Sequence, residues 1–458
     1  MSADAVPNGD VSWWWRDLGG IPAPRRPLPG DTDADVAIVG GGYTGLWTAY
    51  YLARLQPDLR IVVLEQRFAG FGASGRNGGW LTNSVTGGRE RYGREAGAAQ
   101  QRALNEAVDE VIAVAAHEEI EADIVKGGEF EIARSAAQLA RLRVAAAHGR
   151  EWPHTDVEEL DAAAAASRIA VDGILGGIWH PHCARVHPAK LVAGLAAAVE
   201  RAGVTIHEGT RVERIEPGLA VTDRGTVRAP HVLWATEGFT ADLAGEHRTW
   251  LPMNSSMIVT DPLPASAWSA IGWEGRETLG DFAHVYMYAQ RTADDRIAFG
   301  GRGVPYRYGS HVDADGTTQT RTIASLTALL RTFFPAAADV PIAHAWSGVL
   351  GVPRDWAATV GLDAATGVGW AGGYVGTGVT ATNLAGRTLA DLVLGRDTDL
   401  VRLPWVGHRA RRWELEPLRW LAVQGIYGLY RAADRAEAAG RSERTSVFAK
   451  AADLIAGR

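Results

Sequence analysis

Residues 35–55 read DVAIVGGGYTGLWTAYYLARL. VAIV, at 36–39, is a short β-branched run, the pattern of a parallel strand covered on both faces. Glycines follow, then YTGLWTAYYLARL with apolar residues at helical spacing. RIVVLE, at 60–65, is the next strand. Strand, tight turn, helix and strand make one β-α-β unit. Gly40, Gly42 and Gly45 have the spacing G-x-G-x-x-G, and Glu65 ends the second strand. In that context the motif is the dinucleotide fingerprint. Gly40 permits the turn, Gly42 lets a pyrophosphate approach the backbone, and Gly45 lets helix and strand pack closely. Tyr43 and Thr44 open the helix, where unpaired N–H groups and the dipole favour phosphate. Glu65, followed by Gln66, is expected to accept hydrogen bonds from the adenosine ribose.

A second glycine-rich stretch, GFGASGRNGGW at 70–80, follows directly. Glycine is costly to immobilise, so bare backbone in quantity implies a close approach. A nicotinamide enzyme would run on to its next helix and strand. A second loop of small residues suits a longer ligand, the pyrophosphate and flavin end of FAD. Ala73, Ser74, Gly78, Gly79 and Trp80 are expected against it, with Arg76 and Asn77 hydrogen-bonding around it. A surface loop is the plainer alternative.

The chain has 458 residues, more than one simple core accommodates, so two packed domains are expected. Its formal charge of −7 offers nucleic acid no general attraction. The single cysteine, Cys183, excludes an internal disulfide and a redox dithiol. It suits a reducing cytoplasm. The first ten residues lack the pattern of a signal peptide, and no apolar run is long enough for a membrane span. A cytoplasmic location is therefore expected.

The remaining chain alternates in character. Residues 1–32 are an irregular arm containing SWWWRDLGG. The expected fold is α/β, α+β overall. A Rossmann-like FAD-binding domain with a central parallel sheet takes 33–95, 165–248 and 345–400. A mixed or antiparallel-sheet substrate domain takes 96–164 and 249–344. A helical tail takes 401–458, with apolar positions 418, 421, 422, 426, 429 and 430 on one face. From 402 onward eleven Lys/Arg outnumber six Asp/Glu. A basic amphipathic helix could touch a membrane surface; packing on its own body or on a second subunit is the simpler expectation.

Several segments occur in a telling order: the opening stretch, VVLE, GASGRNGGW, VHPAKLVAGLA, GTRVERIE, VLWAT and GGYVGTGVTATNLAGRTLADLVLG. Together they resemble the FAD-dependent D-amino-acid oxidase and glycine/sarcosine oxidase superfamily over roughly 10–400. The GRNGG loop is most similar to its gamma-glutamylputrescine oxidase-like branch. The resemblance implies that the Val212 backbone pairs with adenine and that Ala235 and Thr236 turn near the adenosine end. It places Gly373, Tyr374, Gly376, Thr377, Gly378, Val379 and Thr380 beneath the flavin pyrimidine. A helix N-terminus there stabilises negative charge on reduced flavin. Trp346, Gly348 and Asp355 match the family's Trp-x-Gly segment and its following Asp. The sarcosine oxidases carry a flavin-linking cysteine near that segment and a lysine that assists the reaction with O2. Here no cysteine lies there, so non-covalent FAD is expected. The only lysines are Lys126, Lys190 and Lys450, none an evident match, so the acceptor is left as O2 or a quinone or carrier. No second G-x-G-x-x-G sits between strand and helix, which argues against a separate NADPH site.

For the substrate, His284, Tyr286 and Tyr288 alternate and would share one face of a strand. Arg302, Trp346 and Tyr374 complete the pocket candidates. Aromatic walls suit an amine, which loses hydride from its α-carbon to flavin N5 and leaves an imine for water to hydrolyse. Arg302 as a bidentate carboxylate clamp would favour an amino acid instead. His180, His182 and His187 lack supporting carboxylates in sequence, so no metal is expected. Outside enzymes, the alternative is an FAD-binding protein of structural or regulatory use.

Overall fold

The computed structural model describes residues 6–312, 315–439 and 442–456. Val36–Val39 and Ile61–Leu64 form the expected parallel pair, with Val36 opposite Ile61. They are central in a six-stranded sheet ordered 359–363, 368–372, 231–234, 36–39, 61–64, 205–207. Five strands are parallel; Thr359–Asp363 is an antiparallel edge. All four residues of each central strand are buried: Val36, Ile38, Ile61 and Val63 pack under helices, and Ala37, Val39, Val62 and Leu64 pack on a second, smaller sheet. The Tyr43–Leu55 helix lies against the Gly378–Val393 helix, where a Cβ on Gly386 would stand 2.6 Å from Trp47 Cβ. A small sheet of 32–33, 225–228, 219–222 and 212–216 flanks this layer.

The second layer is an eight-stranded mixed sheet ordered 342–352, 251–260, 297–301, 287–291, 278–281, 129–133, 176–180, 158–161. Its membership differs from the expected division. Gly176–His180 and Ile342–Val352 join this sheet, while Arg94–His117 contributes Ala103, Leu104 and Ala107 to a core shared with the Gly378–Val393 helix. The expected strand over 283–291 is shorter: only Met287–Arg291 is extended in the sheet, and His284 lies in the preceding turn. Asp434 accepts the backbone N–H groups of His284 and Val285, which draws the turn out of the sheet toward the tail.

The tail helix Leu418–Ala439 keeps Ile426, Leu429 and Tyr430 of the expected face against the body, but its first turns are rotated from it. Arg419, Val423, Tyr427 and Tyr430 turn inward, while Leu418 and Leu421 are exposed. An ion pair carries Arg419 inward: its Nε lies 2.9 Å from Glu416. Apolar periodicity alone could not reveal that.

The N-terminal arm braces the second glycine loop from behind. Ser12 Oγ donates to the Gly75 carbonyl at 2.6 Å, and Trp14 Nε1 donates to the Asn77 carbonyl at 2.9 Å. Trp14 also meets Trp346 edge to face at 5.8 Å. Trp14→Ala is expected to cost about 3–5 kcal/mol, because the ring is 1% exposed and its cavity would open under the loop. Thermal unfolding and bound FAD per chain check this; unchanged values for both would show that the arm does not brace the loop.

Candidate functional site

The first loop is shaped by backbone approach. Gly40 has φ +109°, and a Cβ there would stand 2.6 Å from the Ala235 carbonyl oxygen. A Cβ on Gly45 would stand 2.0 Å from the Gly40 carbonyl oxygen, so only glycine lets the helix leave this strand. A Cβ on Gly42 would stand 2.9 Å from Ser74 Oγ. That hydroxyl accepts the Tyr43 N–H at 2.8 Å, joining the two glycine loops. The Tyr43 hydroxyl points away and donates to the Pro188 carbonyl.

A long cleft opens over these loops, lined from Glu65 to Val379. At one end stand Glu65, Gln66 and Val212. Glu65 accepts the N–H of Gly41 and of Arg67, each at 2.8 Å. Burial raises its pKa despite both donors. Gly40, Gly42, Tyr43, Thr44, Ala73, Ser74, Asn77, Ala235 and Thr236 line the middle. At the far end are Tyr374, Gly376, Gly378 and Val379. Thr44 Oγ and the Tyr374 hydroxyl, 3.1 Å apart, tie the two ends of the fold together. No side chain caps the Gly378–Val393 helix, so its first N–H groups are open to an anion or a polarised carbonyl. A buried carboxylate at one end, a bare glycine turn and a second helix N-terminus offer the set of groups that an extended flavin dinucleotide requires.

Several residues expected at the ligand make their side-chain contacts within the fold. The Arg76 side chain is buried, donates to the Phe71 carbonyl and lies over the Phe71 ring at 4.3 Å. It shapes the loop from within. Asn77 also bonds its own loop, donating to Ala73 and Ser74 and accepting from Gly79. A Cβ on Gly78 would meet the Tyr288 ring at 2.8 Å, and one on Gly79 would meet Gln290 Nε2 at 2.0 Å. These two glycines are therefore bare because the second sheet presses on them. The Trp80 indole donates to the Ala289 carbonyl and lies on that sheet beside Gly280. Gly348 faces Arg76 Cβ, Gly373 donates its N–H to Glu237, Thr377 bonds Thr86, and Thr380 is wholly buried.

Of the substrate candidates, Trp346 is core: its indole donates to the Arg76 carbonyl at 2.8 Å with no exposure. His284 faces the tail, 3.0 Å from Glu437 and stacked on Tyr430. Its charged neighbours draw it from the cleft. Tyr286, Tyr288 and Arg302 stay together. Register puts Tyr288 opposite Gly280 and Gly300, and Gly280 opposite Glu131. Directly opposed residues share a face, here the one pressing on Gly78. The Tyr288 hydroxyl lies 2.7 Å from Ser255 Oγ. Cys183 is buried, with Sγ 3.2 Å from Thr278 Oγ, and burial pushes its thiol pKa up. Lys190 pairs with Asp123 at 2.8 Å, outside the cleft. His180 stands 3.7 Å from Glu129, His182 pairs with Asp156, and His187 caps the Pro188–Arg201 helix.

The family profile described as DAO, FAD dependent oxidoreductase, matches residues 35–392. The chain belongs to this family. It is 32% identical over 400 residues to the protein named "Probable oxidoreductase OrdL" of Rhizobium meliloti (strain 1021), spanning 82% of this chain and 88% of that one. It is 31% identical over 384 residues to the Gamma-glutamylputrescine oxidoreductase of Escherichia coli (strain K12), spanning 81% and 86%. The solved glycine oxidase of Geobacillus kaustophilus has the same fold, with TM-score 0.68 at 21% identity over 82% of this chain and 99% of that one. The protein is thus a DAO-family flavoenzyme that uses FAD to oxidise amines or amino acids. Among the described residues, no helix is long and apolar enough to cross a membrane.

Sequence reasoning missed two carboxylates of this DAO-family enzyme. Glu237 lines the cleft with φ +43°. Its oxygens accept the N–H groups of Gly351 at 3.1 Å, Gly373 at 2.8 Å and Tyr374 at 3.3 Å. It therefore pins the second sheet to the turn before the Gly378–Val393 helix. Burial pushes its pKa up to about 7, against the pull of those three donors. Only its position after WAT hinted at it. Glu131, on the sheet face just described, is half-buried, and no described residue donates a hydrogen bond to it. Burial, with the Glu129 and Asp281 carboxylates adding to it, raises its pKa.

Glu237→Ala would leave three backbone donors unpaired, at about 1–3 kcal/mol each. The expected result is a lower thermal midpoint and FAD lost more readily on dilution. A proton binds wild-type Glu237 more tightly folded than unfolded. Its contribution therefore weakens as pH rises from 4.5 to about 7. Thermal midpoints of the cofactor-free variant should fall less steeply over that window. A parallel slope would reject the assignment.

Proposed function

We propose that the enzyme oxidises a primary or secondary amine to an imine, which water hydrolyses to an aldehyde or ketone. FAD, held non-covalently, would lie with its ribose at Glu65, its adenine at Val212 and its pyrophosphate over Gly40–Gly42 and Ser74. The flavin would reach Tyr374 and the open end of the Gly378–Val393 helix. When bound, FAD supplies the two-electron acceptor for a hydride from the amine α-carbon. The acceptor that reoxidises it is O2 or a quinone or carrier.

The observation that carries the amine reading is Glu131. Its carboxylate has no hydrogen-bond partner among the described residues and stands in a row with Gly280 and Tyr288, beside the Trp80 indole. A substrate ammonium would find there both a counter-charge and aromatic faces. Its raised pKa suits taking one ammonium proton, which leaves the neutral amine that can lose hydride. The name of the Escherichia coli relative supports the same substrate class. A second reading, an α-amino acid, is favoured by Arg302. Its NH1 is buried with no acceptor among the described residues, and a carboxylate would supply one.

Anaerobic mixing with amines and with amino acids separates the two, since reduction bleaches the flavin. Bleaching by alkylamines or diamines is the expected result; bleaching by amino acids alone rejects it. Glu131→Gln is expected to lower kcat/KM for amines at least tenfold at unchanged FAD content, and to remove the rise of kcat/KM with pH that this group causes. Gly42→Val should abolish FAD binding, because its Cβ falls 2.9 Å from Ser74 Oγ and its methyls lie over the turn. A stoichiometrically yellow variant would overturn the placement of the pyrophosphate.

A further inference from the structure

The Leu418–Ala439 helix lies beyond residue 392, where the match to the family profile ends. It is nonetheless built into the surroundings of Arg302. Helical spacing puts Gln424, Tyr427, Arg431 and Asp434 along one face. Three of them hold the segments on either side of Arg302 and Tyr286. Gln424 Nε2 donates to the Tyr306 carbonyl at 3.0 Å, and Arg431 donates to the Gly303 carbonyl at 2.5 Å. The Asp434 oxygens accept the N–H groups of His284 and Val285 at 2.8 and 2.9 Å. Tyr427 lies between these anchors on the same helix face, close to Arg302.

Tyr427 is 9% exposed. It shares an apolar cluster with Tyr306, Val352 and Val423, against which Val285, Trp356 and Val375 pack. Val375 follows Tyr374 in the turn at the far end of the cleft. Arg302 stands on the other side, with NH2 3.5 Å from the Tyr286 hydroxyl and NH1 buried with no acceptor among the described residues. Burial pulls its pKa down, while the nearby phenol oxygens of Tyr427, Tyr286 and Tyr288 raise it on balance. A buried donor without an acceptor marks a place where a ligand atom belongs. Of the three phenols beside Arg302, Tyr427 is the one that the family's matched region does not supply.

We propose that the C-terminal helix completes the substrate pocket and that Tyr427 is its specificity-determining residue. It contacts the non-reacting end of the substrate, an alkyl chain bearing a hydrogen-bond acceptor. The inference rests on the amine reading only for the first choice of probe.

The test uses the full-length holoenzyme with Tyr427→Phe, Tyr427→Ala and Tyr427→Trp, and Leu421→Ala as a control at a 55% exposed position of the same helix. FAD per chain and the visible spectrum are read first. KM and kcat follow for a series of straight-chain primary amines, with and without a terminal carboxylate, and for amino acids. Stoichiometric FAD is expected in every variant. Tyr427→Ala should raise KM at least tenfold for the best substrate, with kcat within threefold. Tyr427→Trp should move the preferred chain length downward. Tyr427→Phe keeps the packing and carries the test if the alanine variant does not fold; its KM should rise most for carboxylate-bearing amines. Unchanged KM and chain-length preference in the Phe and Trp variants would overturn the proposal. Comparison is made on whichever substrate class bleaches the wild type. Failure of the amine reading therefore shows in the wild type, and failure of this inference shows between wild type and variants.

Discussion

The approach of the Gly45 position to the Gly40 carbonyl, 2.0 Å for a Cβ that is absent, is the constraint on which the rest is built. It lets the Tyr43–Leu55 helix start immediately after the first strand and lie flat on the sheet. The helix then carries Thr44 to Tyr374, and Trp47 to Gly386 of the last helix of the domain. Two segments more than three hundred residues apart are thereby fixed side by side along one cleft. Any side chain at Gly45 would lift the helix, and both contacts would be lost together.

The β-α-β unit, its fingerprint and the second strand-turn-helix were legible because each is a local pattern. Buried parallel strands and helical periodicity repeat within a few residues, and glycine spacing reports local backbone geometry. The second glycine loop was only half legible. Composition announced that something approaches 70–80 closely, but not what. Ala73, Ser74 and Asn77 do line the cleft, whereas Gly75, Gly78 and Gly79 are pressed by Trp15, Tyr288 and Gln290. A glycine made bare by a ligand and one made bare by a distant ring look identical in sequence.

The carboxylates were illegible for a related reason. Glu237 acts on three backbone N–H groups from two elements more than a hundred residues away, and Glu131 acquires its character from what fails to reach it. Tail residues behaved similarly. Leu418 and Leu421 are apolar but exposed, while Arg419 is buried because Glu416 neutralises it. Hydrophobic periodicity assumes that charge stays outside, and one well-placed ion pair is enough to rotate a helix away from that expectation.

These non-local contacts share a direction. The N-terminal arm, the eight-stranded sheet and the tail converge on the segments beside the cleft: Trp14 and Trp346 on the glycine loop, Tyr288 on Gly78, Gln424, Arg431 and Asp434 around Arg302. The Glu65 end of the cleft, by contrast, is built almost wholly from residues 40–74 and their strand neighbours. Such a division separates two tasks physically. A cofactor shared across a family needs the same backbone cradle each time, and local glycine patterns are enough to specify it. A substrate that differs between members must be met by side chains borrowed from elements free to change, so the part of the site that decides chemistry on a particular molecule is the part that local sequence says least about.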